Sequence, residues 1–330
     1  MVGTEVKTKV AILYMNDIAN PELVKEITKR ISAIKTDLVM SPGFIEEFVE
    51  DAPFSPFPQL LNTDRPDRAA YNLMEGRVVM FSNESPTALV LPVTFFAFYQ
   101  SPDDYNSRFF VGSFYRFVRL VCFTIAITLP AIYIGVVAFH FETLPIKLLI
   151  PIKESIEQIP FQPLVEALIM ELTIELIREA GVRLPTSIGP VIGIVGGLVI
   201  GQAVVEANLV SNVMVIIVAI TITATASFVV TSNEMVTSLR LLRFPLMILA
   251  ATFGFIGIVL GLSVLFMHLC ALESFGTPYF APWSTGRWAD FKDTIFRFPL
   301  WLMDKRPKDS RSIKRVRETY SRGWKTDETE

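Results

Sequence analysis

Four long stretches of this chain contain no charged residue: 120–140, 184–205, 207–233 and 244–272. A helix crossing a hydrocarbon core needs about 20 apolar residues, so each stretch is long enough to span a membrane. Residues 115–275 hold only 8 basic and 10 acidic side chains, whereas the chain as a whole is 19% charged with a mean hydropathy of +0.45. A charge-poor middle between charged flanks predicts a polytopic α-helical membrane domain of about four spans over 115–275. Pro130 predicts a kink in the first span. Between the first two spans, 164–180 carries Glu171, Glu175 and Glu179 every fourth residue beside Leu168, Leu172 and Leu176. That pattern predicts one amphipathic helix, lying in the interface or packed inside the bundle.

The flanks differ in sign. Residues 1–114 carry 10 basic and 15 acidic groups, about −5. Residues 297–325 carry 10 basic and 3 acidic groups, about +7. The net balance of −3 excludes a generally basic nucleic-acid binder. The rule that basic loops stay inside makes 276–330 a basic cytoplasmic tail facing anionic membrane lipid, and Arg108, Arg116 and Arg119 fix the start of the first span on the same side. Four spans then leave Arg178, Arg183, Arg240 and Arg243 on the outer side. Two cysteines and two histidines give no disulfide framework and no metal centre. Nothing before Val10 reads as a signal peptide. His140 and His268 read as interfacial, and Phe275, Tyr279, Phe280 and Trp283 as an aromatic belt.

The front, 1–114, reads as a small α/β soluble domain. Strands are expected at 10–15, 77–81 and 87–91, the last two as a hairpin around Ser82–Ser85. Helices are expected after Asn20-Pro21-Glu22, after Ser41-Pro42 and over 67–75, stopped by Gly76. Residues 52–66, with four prolines, read as a loop. About three strands and one parallel crossover starting at Val10 make a domain that reads as truncated. Asp64-Arg65-Pro66-Asp67-Arg68 reads as a solvated turn with mutual ion pairs, or as a contact for a partner or for lipid head groups.

The second span carries the sharpest pattern. Gly189, Gly193, Gly197 and Gly201 recur every four residues, a spacing that lets another helix approach closely in lipid. These glycines are the candidate helix-packing or oligomer interface. Val195, Leu198, Val199, Gln202 and Glu206 lie on another arc and are the candidate pore-lining residues, with Glu206 placed to attract cations. The third span is rich in hydroxyls, including Thr221 and Thr225. No nucleophile, base and metal set converges anywhere, so no cofactor and no enzyme activity are expected.

Several blocks carry a resemblance. They include Ala19-Asn20-Pro21, Pro56-Phe57-Pro58-Gln59, Arg65-Pro66-Asp67-Arg68 and Glu75-Gly76-Arg77-Val78. Further on come 178–185 (REAGVRLP), Ile200-Gly201-Gln202-Ala203, 239–245 (LRLLRFP), Ser274-Phe275-Gly276 and Pro278-Tyr279. In order, from about Lys7 to about Pro307, they resemble the GerA-type spore germination proteins, the A subunits of germinant receptors. The resemblance implies a multi-pass protein of the spore inner membrane that homo-oligomerises. It also implies a transporter-like B subunit and a lipoprotein C subunit as partners, and a nutrient-gated ion channel that starts germination. It implies, too, that a soluble subdomain usual in the family is missing ahead of Lys7. The alternative is a stand-alone transporter of a small solute or ion. Such transporters show paired broken helices, and no second glycine ridge is evident.

Overall fold

Asn20 sets the first helix. Its side-chain oxygen accepts the backbone N–H of Glu22 at 2.9 Å, and Pro21 occupies the first turn. The computed structural model describes residues 1–83, 85–185, 189–228, 231–286 and 288–317. In chain order the elements begin with β1 (Val10–Leu13), α1 (Pro21–Ala33), α2 (Pro42–Val49), β2 (Leu61–Thr63), α3 (Pro66–Met74), β3 (Val78–Ser82) and β4 (Ala88–Leu91). The helices α4 (Pro102–Asn106), α5 (Phe109–Phe139), α6 (Ile146–Glu157), α7 (Pro163–Arg183), α8 (Gly189–Glu206), α9 (Asn212–Ala226) and α10 (Asn233–Ala271) follow. The chain divides into two units. One comprises Met1–Leu120, Phe228–Ser238 and the residues from Phe266 onward; the other comprises Val121–Ser227 and Leu239–Leu265.

The first unit holds a four-stranded sheet in the order β1-β3-β4-β2, and every pairing is antiparallel. The expected hairpin forms, with Val79 opposite Val90 and Met80 opposite Leu89. The expected parallel crossover at Val10 does not. Its place is taken by a strand hidden in the proline-rich stretch, Leu61–Thr63, which makes β2–α3–β3 the crossover, with β4 inserted between its two strands. Leu23, Ile27 and Ile31 of α1 share one face. They pack with Ile45 and Val49 of α2 on Val78, Met80, Leu89 and Leu91. Gly76 ends α3 with a φ of 92°, a left-handed conformation that suits glycine.

Of the expected tail, residues 276–286 and 288–317 belong to this unit, and Arg287 lies outside the described residues. Tyr279 is fully buried, and its hydroxyl donates to the Pro58 carbonyl at 2.6 Å. Phe275 joins the core beneath the sheet, and Phe280 packs on Phe95 and Phe96. The expected aromatic belt is therefore corrected for Phe275, Tyr279 and Phe280, which are buried within this unit, while Trp283 stays 44% exposed. Residues 318–330 of the basic segment lie outside the described residues. So do Glu84 of the hairpin turn, 186–188 of the stretch 184–205, and 229–230 of the stretch 207–233.

The helices α5 and α10, whose middle parts lie in the second unit, are long and apolar enough to cross a membrane, while α8 and α9 are shorter apolar helices. Four uninterrupted spans are not found. α10 is broken at Gly254, whose φ of 62° and ψ of −140° are not helical. Its second half folds back on the first. A Cβ at Gly257 would fall onto the Leu249 carbonyl oxygen, and one at Gly261 would lie 2.5 Å from Leu246 Cδ2. Glycine at both positions allows this approach, because any side chain would hold the two backbones apart.

Two outcomes test these packings. Gly257→Ala places a methyl group on a carbonyl and is expected to destabilise the second unit by about 1–3 kcal/mol or more, read as a lowered midpoint in detergent unfolding. In the first unit, the Glu46 carboxyl is pushed up from 4.5 to about 9 by burial and by the like charges of Glu234 and Glu50. An acid with a raised folded-state pKa contributes stability below its unfolded pKa and loses it as pH rises toward the folded value. Stability is therefore expected to decline between about pH 4.5 and 9. Glu46→Gln should flatten that slope in unfolding midpoints taken across the range.

Candidate functional site

The charged row on α7 turns inward at Glu171, is partly exposed at Glu175 and is exposed at Glu179. Glu171 Oε2 accepts from Arg243 Nη1 at 2.6 Å, and each side chain is only 4% exposed. The other Arg243 terminal nitrogen donates to Thr225 Oγ1 on α9 at 3.0 Å. One turn along, Glu175 accepts from Arg240 at 2.6 Å and also pairs with Arg178. Leu172 and Leu176 are well exposed. Of the two placements expected for this helix, it takes the one packed in a bundle, with Glu171 in and Leu172 and Leu176 out. Desolvated charges in an apolar bundle survive only as pairs, which is why acidic α7 and basic α10 lie together. The sequence signal was the recurrence of two glutamates and two arginines in otherwise apolar helices, but each row was read alone.

At the other end of α7, Glu166 Oε1 accepts from the Ser211 N–H at 2.8 Å and from its hydroxyl at 2.5 Å. Ser211 in turn caps α9 by accepting from Met214 N. A carboxylate at a helix N-terminus is stabilised by the unsatisfied N–H groups there. Tyr133 of α5 donates toward the same carboxylate at 3.2 Å. Nearby on α5, a Cβ at Gly135 would contact Phe255 and Ile258, and His140 stacks on Phe255 with ring centroids 4.7 Å apart.

These contacts orient the bundle. Tyr133, Glu166, Ser211 and Gly254 mark one end; Glu175, Thr225 and Arg240 mark the other. A Cβ at Gly189 would lie 2.8 Å from the Gly181 carbonyl oxygen, so α8 starts where α7 finishes.

α8 carries the predicted functional residues. Val195, Leu198 and Val199 are each more than half exposed. Gln202 and Glu206 are exposed too. The four glycines separate. Gly189 packs against α7, while Gly193, Gly197 and Gly201 have nothing within 4 Å of where a Cβ would stand. Two arcs of α8 are therefore uncovered by the described part of this chain: one of small residues, the other apolar with a polar end. Sequence reading missed the close glycine pair Gly257 and Gly261, although its four-residue spacing was visible in 254–261 (GFIGIVLG).

In the first unit, the charged cluster at 64–68 divides. Arg65 makes surface pairs with Asp67 and Asp103, as expected for a turn. Arg68 is instead buried. The histidine expected at the interface, His268, bonds the Ser55 hydroxyl at 2.9 Å and lies over Phe57.

Comparison with known proteins matches residues 1–309 to the family described as Bacillus/Clostridium GerA spore germination protein. The chain is 44% identical over 322 residues to an uncharacterized membrane protein YfkQ of Bacillus subtilis (strain 168), covering 98% of this chain and 60% of that one. It is 42% identical to spore germination protein KA of the same organism, over 96% of this chain and 58% of the relative. It is 43% identical to spore germination protein GerQA of Bacillus cereus, over 96% and 63%. The chain thus spans about three-fifths of the length of these relatives. A crystal structure of the N-terminal domain of the A subunit of the Bacillus megaterium spore germinant receptor GerK3 matches with 37% identity. That match covers 28% of this chain and 75% of that one, at a TM-score of 0.23.

Breaking the inner pair gives a direct check. Glu171→Gln leaves the Arg243 charge buried and is expected to cost about 3–5 kcal/mol, while Glu171→Leu with Arg243→Met should recover most of it. Thermal unfolding of the purified chain in detergent reads both. Equal loss in the single and double variants would remove the pair from any special role. The family match and the spore germination relatives place this chain in the GerA spore germination protein family.

Proposed function

We propose that the chain is an A-type subunit of a spore germinant receptor, seated in the spore inner membrane and working beside a transporter-like B subunit and a lipoprotein C subunit. Family membership and relatives named as spore germination proteins support the receptor role. In this reading copies of the chain assemble through the glycine arc of α8, and the second arc lines a nutrient-gated path for ions. The observation that carries it is that α8 leaves both arcs uncovered by the described residues of this chain. In a ring, Gly193, Gly197 and Gly201 pack neighbour to neighbour. Val195, Leu198 and Val199 then form an apolar constriction that closes by dewetting, with Gln202 and Glu206 at its mouth.

The internal contacts also favour six traversals of the bundle, by α5, α7, α8, α9 and the two halves of α10. Six is even, so the first and last traversals share one end. That end also holds Arg178, Arg183, Arg240 and Arg243, which a four-span arrangement leaves outside. The basic count thus agrees with six traversals better than with four.

Two measurements test the proposal. With Cys122 and Cys270 replaced by Ala, a cysteine at Ala207 should be labelled from outside intact cells and one at Val182 only after permeabilisation. Labelling at Val182 alone would return the chain to four spans. Gly197→Leu should abolish crosslinked oligomers at unchanged monomer level, and Leu198→Ala should give ion leak without nutrient. Normal oligomers and normal ion retention in both variants would sink the pore reading.

A further inference from the structure

Four arginines of the first unit, buried or half-buried, face a carboxylate: Arg77 pairs with Asp309, Arg116 with Asp104 and Asp293, Arg119 with Asp104, and Arg317 with Glu75. Arg68 is 6% exposed and forms no ion pair among the described residues. Its guanidinium donates to backbone carbonyls only, those of Thr231, Ala97 at 2.8 Å and Gln100 at 3.0 Å. Arg297 and Arg306 also rest on carbonyls. Arg68 borders a cavity of about 320 Å³, larger than the one of about 170 Å³ that Arg306 borders. Burial, and then the like charges of Arg65 and Arg77, lower its pKa to about 10 against the opposing pull of Glu234. Neutral carbonyls accept three of its five N–H bonds but carry no charge to pair with it.

The rest of the cavity wall suits a small organic ligand. Tyr71 and Tyr105 lie side by side with ring centroids 5.1 Å apart. The Tyr105 hydroxyl is held by Asp293 at 2.6 Å, so its ring is fixed. Leu61, Ala97 and Leu300 add apolar surface, Asn72 and Gln100 add amides, and Asp67 and Arg317 add one charge of each sign. A volume of a few hundred Å³ lined by aromatic and apolar groups, with a few polar groups converging, is the usual form of a small-molecule pocket.

We propose that this cavity binds a small carboxylate with an apolar or aromatic body, its anionic group compensating Arg68 and its body lying against Tyr71, Tyr105 and Leu300. A carboxylate matches a guanidinium in plane and charge. The site belongs to the first unit and is independent of ion conduction by α8, so either proposal can fail alone.

The test uses the full chain in lipid nanodiscs, with benzoate as probe, benzamide as its neutral counterpart and inorganic phosphate as a bare anion. Calorimetric titration should give saturable benzoate binding, with benzamide at least about tenfold weaker because it carries no charge to compensate Arg68. Leu300→Trp fills the cavity from a partly exposed position without touching the Arg68 carbonyl bonds, and should weaken benzoate at least about tenfold at unchanged unfolding midpoint. Arg68→Gln should do the same; because it also removes the carbonyl clamp, Leu300→Trp decides if Arg68→Gln fails to fold. Equal binding of benzoate and benzamide would overturn the role of Arg68. Phosphate binding as tight as benzoate would overturn the role of the apolar wall. Unchanged benzoate affinity in Leu300→Trp, or no benzoate binding by the unaltered chain, would overturn the site.

Discussion

The buried pairing of Glu171 with Arg243 is the constraint around which the helical unit is arranged. An ion pair with both side chains 4% exposed forms only if the two helices bring the charges together before either is stranded in an apolar medium. That requirement fixes α7 against the first half of α10. The Arg243 bond to Thr225 adds α9 to the same point. With three helices fixed at one end and Glu166, Ser211 and Tyr133 joining three at the other, α8 is left on the outside, its two arcs uncovered. The exposure of the glycine helix is thus a consequence of where the charges had to go.

Much of the first unit was legible in the sequence. Asn20 with Pro21, the spacing of Leu23, Ile27 and Ile31, and the hairpin around Val79 and Val90 follow local rules that survive packing. What was not legible depended on partners far along the chain. Leu61–Thr63 is three residues long and sits among prolines, so only its pairing with Ala88–Val90 makes it a strand. Tyr279 and Phe275 look like interfacial aromatics until the distant residues that bury them, Pro58 and the core of α1 and α2, are in place.

The helical unit shows the same division. The apolar stretches and the four-residue glycine spacing on α8 announced themselves. The break at Gly254 did not, because a single glycine within an apolar run is compatible with a continuous helix. The fold-back depends on the joint presence of Gly257 and Gly261 opposite Leu249 and Leu246. The inward turn of Glu171 was equally invisible, since a glutamate every fourth residue describes a stripe and does not say which way the stripe faces. Its partner decides that, 72 residues later.

The ladder between α7 and α10 also limits how these helices can move. Glu171 and Glu175 are one turn apart on one helix, and Arg243 and Arg240 nearly one turn apart on the other. A displacement of half a turn leaves each carboxylate between two guanidiniums and bonded to neither, with the penalty of unpaired buried charge at Glu171 and Arg243. A displacement of a full turn, about 5.4 Å, offers a new pairing. The contact therefore acts as a detent. α7 holds its register against small forces, and any shift it makes is a discrete step rather than a gradual slide.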